Sequence, residues 1–134
     1  REIAEAYRSV VANYHVDTLQ VVATGFSWGA TMAIDMTLNQ RIPATSFIAL
    51  CPGLPFPIAD EQIKKAASRH VAGVIITGDA DQSLPDQKRI SRQMTNAGMT
   101  NSVMVSPAHG HWYPDDISRQ IDLAIKSLQF YREK

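Results

Sequence analysis

The chain has 134 residues, 45% of them hydrophobic and 19% charged, with 13 basic residues balanced by 13 acidic ones. This composition suits one globular domain over residues 1–134, and it supplies no basic stripe or aromatic-rich motif that would point to nucleic acid or an anionic membrane surface. No run is long enough to span a bilayer, and the single cysteine, Cys51, excludes an internal disulfide framework.

The chain opens helix-like at Arg1-Glu2-Ile3-Ala4-Glu5 without a signal peptide, which fits a cytoplasmic protein, although processing leaves secretion open. Ile3, Tyr7, Val10, Val11 and Tyr14 share one helical face, so the first element reads as an amphipathic helix. Residues 19–24 are short and β-branched and predict a strand. It leads into Gly25-Phe26-Ser27-Trp28-Gly29, after which residues 30–36 favour a largely buried helix. A second strand is expected over residues 45–50, ending in the proline-rich loop Cys51-Pro52-Gly53-Leu54-Pro55-Phe56-Pro57, with Cys51 a small apolar filler. Residues 71–77 read as a buried strand that empties into the acidic turn Gly78-Asp79-Ala80-Asp81. From 85 to 97 a helix places Ile90, Met94 and Ala97 together, with Pro85 in its first turn and Gly98 at its C-terminal cap. Residues 101–106 form a fourth predicted strand, followed by Pro107-Ala108-His109-Gly110-His111-Trp112. The last helix carries Ile117, Ile121, Ala124, Leu128 and Tyr131 on one face, with Asp115 and Asp116 at its start and Arg132 and Lys134 at its end, charges that oppose the helix dipole. His15 and His70 precede strands and read as solvent-exposed helix-end residues.

Five helices alternating with four strands predict an α/β fold, a parallel four-stranded sheet with right-handed crossovers and helices on both faces. In such a sheet the chemistry gathers at the strand C-termini. Ser27, the acidic turn and the histidine pair all follow predicted strands, so the topology brings them to one edge. Strand, sharp turn and helix are what a G-x-S-x-G elbow requires, and Ser27 is its candidate nucleophile. Held in a strained turn, its oxygen projects clear of the sheet, while the helix N-terminus aims backbone donors at developing negative charge. Small neighbours tolerate that turn, which predicts a steric need for both Gly25 and Gly29.

The stretches GFSWGA and GDADQSLP and the histidine after glycine before a long final helix together resemble the C-terminal half of an α/β-hydrolase. The G-F-S-x-G-A run, the proline-rich loop and G-D-A-D most resemble the phospholipase/carboxylesterase and dienelactone-hydrolase-like esterases. The resemblance covers essentially the whole chain. It implies a serine esterase whose catalytic residues are Ser27, Asp81 and His111, with Asp79 and His109 as spares. The backbone N–H of Trp28 becomes the identifiable oxyanion donor, and no cofactor or metal is implied. Histidine suits the base role because its ordinary pKa of about 6.5 leaves it mostly neutral, so activity is expected to fall as the base protonates. Leu54, Phe56 and Trp112 are candidate apolar walls of a substrate pocket for a small-molecule ester, with Trp112 also placed to shield His111.

Blander readings stand beside these. Ser27 and Asp81 can be turn formers, since aspartate bonds its own backbone in such loops. His109 and His111 can pair as metal ligands, a reading opposed by the expectation of no cysteine nearby and by the lack of an obvious third ligand cluster. A complete enzyme of this kind has strands on both sides of the nucleophile strand, whereas one helix precedes it here. The resemblance thus predicts a partial domain, lacking the loop with the second oxyanion donor and leaving the nucleophile strand as an apolar edge to be covered by a missing N-terminal segment or by self-association. The alternatives are a serine peptidase of the prolyl-oligopeptidase type and a non-catalytic half-domain that binds through that edge.

Overall fold

A computed structural model describes residues 2–132, with side chains to residue 128, so Arg1, Lys134 and the side chains of Tyr131 and Arg132 lie outside the described set. Four strands, β1 (Val22–Phe26), β2 (Ser46–Leu50), β3 (Ala72–Gly78) and β4 (Thr100–Ser106), pair in the order β1-β2-β3-β4, all parallel. Five helices alternate with them: α1 (Glu2–Asn13), α2 (Trp28–Leu38), α3 (Asp60–Ser68), α4 (Leu84–Asn96) and α5 (Ile117–Arg132).

The two faces of the sheet are built by alternation along its strands. Phe47, Ala49 and Ile75 point to one side, where they meet Ala30, Ile34 and Leu38 of α2, Ile63 and Ala66 of α3, and Ile90 and Met94 of α4. Ile48, Leu50, Val74 and Ile76 point to the other and meet Ala124 and Leu128 of α5. β2 and β3 are buried along their whole length and carry near-continuous apolar sequence, as central parallel strands do. Gly73 permits this packing, because a Cβ there would lie 2.0 Å from the Phe47 ring.

The helices at 84–96 and 117–132 follow their predicted faces: Ile90, Met94, Ala124 and Leu128 are buried, and Gly98 takes a φ of +81° just past α4. Two expectations at the front of the chain need correction. The first strand runs Val22–Phe26, later than the expected 19–24. Asp17 is the reason: its carboxylate accepts the Leu19 N–H at 3.0 Å and the Gln20 side-chain amide at 3.0 Å, and its carbonyl accepts the Gln20 N–H, so a turn claims both residues before pairing starts. The amphipathic first helix forms, yet none of its residues is buried. Ile3, Val10, Val11 and Tyr14 are exposed, and Ala4 alone reaches a small cluster with Met36, Ile42 and Ala44. Of the apolar stripe that the sequence wrote, Tyr7 is half-buried and the rest faces outward.

Candidate active site

Ser27 occupies the turn between β1 and α2 with φ 56° and ψ −116°, a strained conformation for a residue with a side chain. Its N–H donates to Leu50 O at 2.8 Å on the neighbouring strand, and its carbonyl accepts the Thr31 N–H at 3.1 Å, so sheet and helix hold the turn from both sides. Gly25 makes this possible, since a Cβ there would lie 2.4 Å from the Gly29 backbone. Gly29 is different: a Cβ there meets nothing within 4 Å, which corrects the expectation that both glycines are sterically required.

Asp81 lies beyond the end of β3, and His111 lies in the loop after β4. The Ser27 Oγ is 2.8 Å from His111 Nε2, and His111 Nδ1 is 2.8 Å from Asp81 Oδ2. Residues 84 and 30 positions apart in sequence therefore form one hydrogen-bonded chain. The Asp81 side chain is 1% exposed and that of His111 43%, a buried acid behind a histidine open to solvent on its serine side. Burial pushes the Asp81 carboxyl up, but the Ser83 N–H, the His111 ring and the Cys51 thiol more than offset it, and the group is held below the ordinary carboxylate range.

Asp79 and His109 serve the loop instead. The Asp79 carboxylate accepts the His109 N–H at 3.2 Å, the Ala80 N–H donates to His109 O at 2.9 Å, and His109 Nε2 is 2.7 Å from Tyr113 O. Gly78 lets that loop close down, for a Cβ there would lie 2.1 Å from His109 O. His109 is thus turned away from His111, and the two do not form a ligand pair. The expectation that no cysteine is near also needs correction, because Cys51 Sγ, an Asp81 oxygen and a His111 nitrogen lie within 4.8 Å of one another. These groups could face a metal ion, but Asp81 and His111 already satisfy each other and Ser27 by hydrogen bonding.

The Trp28 N–H is the first of α2, at the helix N-terminus, where backbone donors have no preceding carbonyl of their own helix to bond. Beside it a groove of about 770 Å³ runs along α2, lined by Trp28, Met32, Ile34, Leu54, Phe56 and Ile58 among others. Trp112 does not line it. That ring, 64% exposed, sits edge-on to Phe26 at 5.7 Å, while Phe26 stacks on Tyr113 at 4.5 Å and lies 5.2 Å from the His111 ring. Sequence reasoning missed Phe26, the variable residue before the serine, and Met32. The signal for Phe26 was its position at the last residue of the strand carrying Ser27.

No protein-family model and no curated protein matches this sequence. Solved structures do. An uncharacterized protein from Bacillus cereus ATCC 10987 superposes with a TM-score of 0.82 at 23% identity over 97% of this chain and 42% of that one. Arabidopsis thaliana SOBER1 gives 0.74 at 16% over 96% and 61%, and esterase PE8 gives 0.70 at 20% over 98% and 58%. The sheet order, the helices on both faces and these superpositions identify the fold as that of an α/β-hydrolase. The chain spans about two fifths to three fifths of the length of these neighbours.

Proposed function

We propose that this chain is the nucleophile-bearing part of a serine hydrolase that cleaves carboxylic esters through an acyl-enzyme. The observation that supports it most is the pair of 2.8 Å contacts from Ser27 to His111 and from His111 to Asp81. His111 Nε2 takes the Ser27 proton as Oγ attacks the ester carbonyl carbon, and the carbonyl electrons move onto oxygen facing the Trp28 N–H. Collapse of this intermediate breaks the bond to the alcohol, which leaves with the proton from His111. Water then attacks the acyl-serine, again giving its proton to His111, and the carboxylic acid departs as Ser27 regains a hydrogen. Asp81 stays ionised throughout; its depressed pKa suits it to orient the imidazole and stabilise the transient imidazolium.

The groove beside Trp28, with Leu54 and Phe56 in its wall, favours an apolar acyl group over a charged one. A fluorophosphonate mass-labelling experiment tests the proposal. One adduct per chain, absent in Ser27→Ala, is the expected result, with esters then hydrolysed in preference to peptide anilides. A folded chain that takes no label at any concentration, or labels equally as Ser27→Ala, removes the reading.

The second part of the proposal concerns β1, which among the described residues pairs with β2 and no other strand. Val22 and Thr24, on the sheet face that also carries Ile48 and packs toward α5, line a groove of about 340 Å³ with Ile48, Ile121, Ile125 and Leu128. An additional segment of the same fold covers this edge and groove. The greater length of the structural neighbours favours that over a second copy of this chain.

A further inference from the structure

We propose that Cys51 is a positioning residue for the histidine, its thiol holding the loop that carries His111 while its sulfur backs the Asp81 carboxylate. The inference rests on the serine-hydrolase reading for its meaning, but the geometry is independent of any reaction. Cys51 follows the last residue of β2, as Ser27 follows the last residue of β1, and it too has a positive φ, of 50°. Two neighbouring strands are therefore each followed by a residue of positive φ. Ser27 uses it to present a hydroxyl to solvent-facing His111, whereas Cys51 uses it to turn a side chain inward, and the residue is 1% exposed.

The inward position is specific. Cys51 N–H donates to Ile76 O at 2.8 Å, which anchors it to β3 just ahead of the acidic turn. Its Sγ is 3.6 Å from the carbonyl of Trp112, the residue directly after His111. The same sulfur lies within 4.8 Å of both an Asp81 oxygen and a His111 nitrogen. One side chain thus adds a contact at the carboxylate and at the residue after the histidine, where the acid loop and the histidine loop, already pinned to each other through Asp79, Ala80 and His109, meet through the Asp81–His111 pair alone among the hydrogen bonds described. Burial first, then the Asp81 charge and the contact with its carboxylate, push the Cys51 thiol up to about 11. It therefore stays protonated and uncharged, a donor to the Trp112 carbonyl and not a competing nucleophile.

The test compares Cys51→Ala, which removes the donor, with Cys51→Ser, which keeps one, at the same backbone strain. The readouts are the fluorophosphonate labelling rate and the solvent-exchange rate of the His111 Nδ1 proton by NMR, assigned by its loss in His111→Gln. Cys51→Ala is expected to label about tenfold more slowly and to exchange that proton several-fold faster, with Cys51→Ser recovering to within about threefold of the parent. Should Cys51→Ala lose the fold, Cys51→Gly, which adopts φ 50° without cost, replaces it in the comparison. Parent-like behaviour of the donor-less variant, or equal loss in the donor-less and serine variants, overturns the proposal. If the parent itself takes no label, the hydrolase reading fails while the exchange measurement still decides the role of Cys51.

Discussion

A Cβ on Gly25 would collide with the Gly29 backbone, whereas one on Gly29 meets open space, so alanine substitutions at the two ends of one motif should diverge. Gly25→Ala must separate β1 from α2 and is expected to destabilise by about 2–4 kcal/mol, as overpacking against backbone does. Gly29→Ala, in the first turn of α2, is expected to be neutral or stabilising by up to about 1 kcal/mol, because it only reduces the freedom of the unfolded chain. Urea unfolding of both variants measures the difference. Asp81 carries a second prediction at this scale. Its folded pKa lies below the ordinary carboxylate value, so its charge contributes stability that is fully present above about pH 4. That contribution disappears as pH falls through the depressed value. Asp81→Asn should therefore flatten the acid limb of a pH-dependent melting curve; an unchanged acid limb would show that other carboxylates dominate it.

Elements differ in how far their sequence patterns were honoured. α2 is framed by β1 and β2, and its Ile34 is 1% exposed among Leu38, Phe47 and Ile63, so Ile34→Ala is expected to cost about 2–5 kcal/mol. α1 has a distinctly one-sided apolar stripe, where α2 is apolar nearly all round, yet none of its residues is buried, and Val10→Ser should change stability by less than about 0.5 kcal/mol in this chain. Thermal melts of the two variants separate the cases. The loop after β2 gains its shape from elsewhere: Gln87 of α4, fully buried, donates to Pro52 O at 3.0 Å, and the Thr31 hydroxyl of α2 accepts the Gly53 N–H at 3.1 Å. Two helices thereby fix the loop that places Leu54 in the groove wall.

For the whole molecule the deciding feature is the β1 edge of the sheet. Exposed Val22 and Ile125 on the same groove make an apolar strip beside a strand edge that no other described strand pairs with, an arrangement that folded proteins ordinarily cover. If an additional segment of the fold belongs there, this chain alone should stay monomeric by sedimentation at low concentration, bind an apolar dye, and lose dye binding when the segment is supplied. A concentration-dependent dimer that excludes the dye would instead assign the edge to a second copy.

Local physics was enough for much of this architecture. The β-branched runs, the proline and glycine at the ends of α4 and the spacing along α5 specify elements because propensity, capping and periodicity act over a few residues. The strand-turn-helix around Ser27 was legible for the same reason, and the order of the acid and histidine made their convergence an expectation. Which aspartate and which histidine meet is a tertiary matter: Asp79 and Asp81, like His109 and His111, are near-identical in local sequence, and only the closure of the 107–113 loop onto Gly78 separates the pair that pins the loop from the pair that reaches Ser27. The placement of Cys51 beside them was equally invisible, because a 30-residue gap in sequence is bridged by strand pairing whose register no local pattern encodes. The exposure of α1 was decided at the same level, since burial depends on what lies opposite a helix and not on the helix alone.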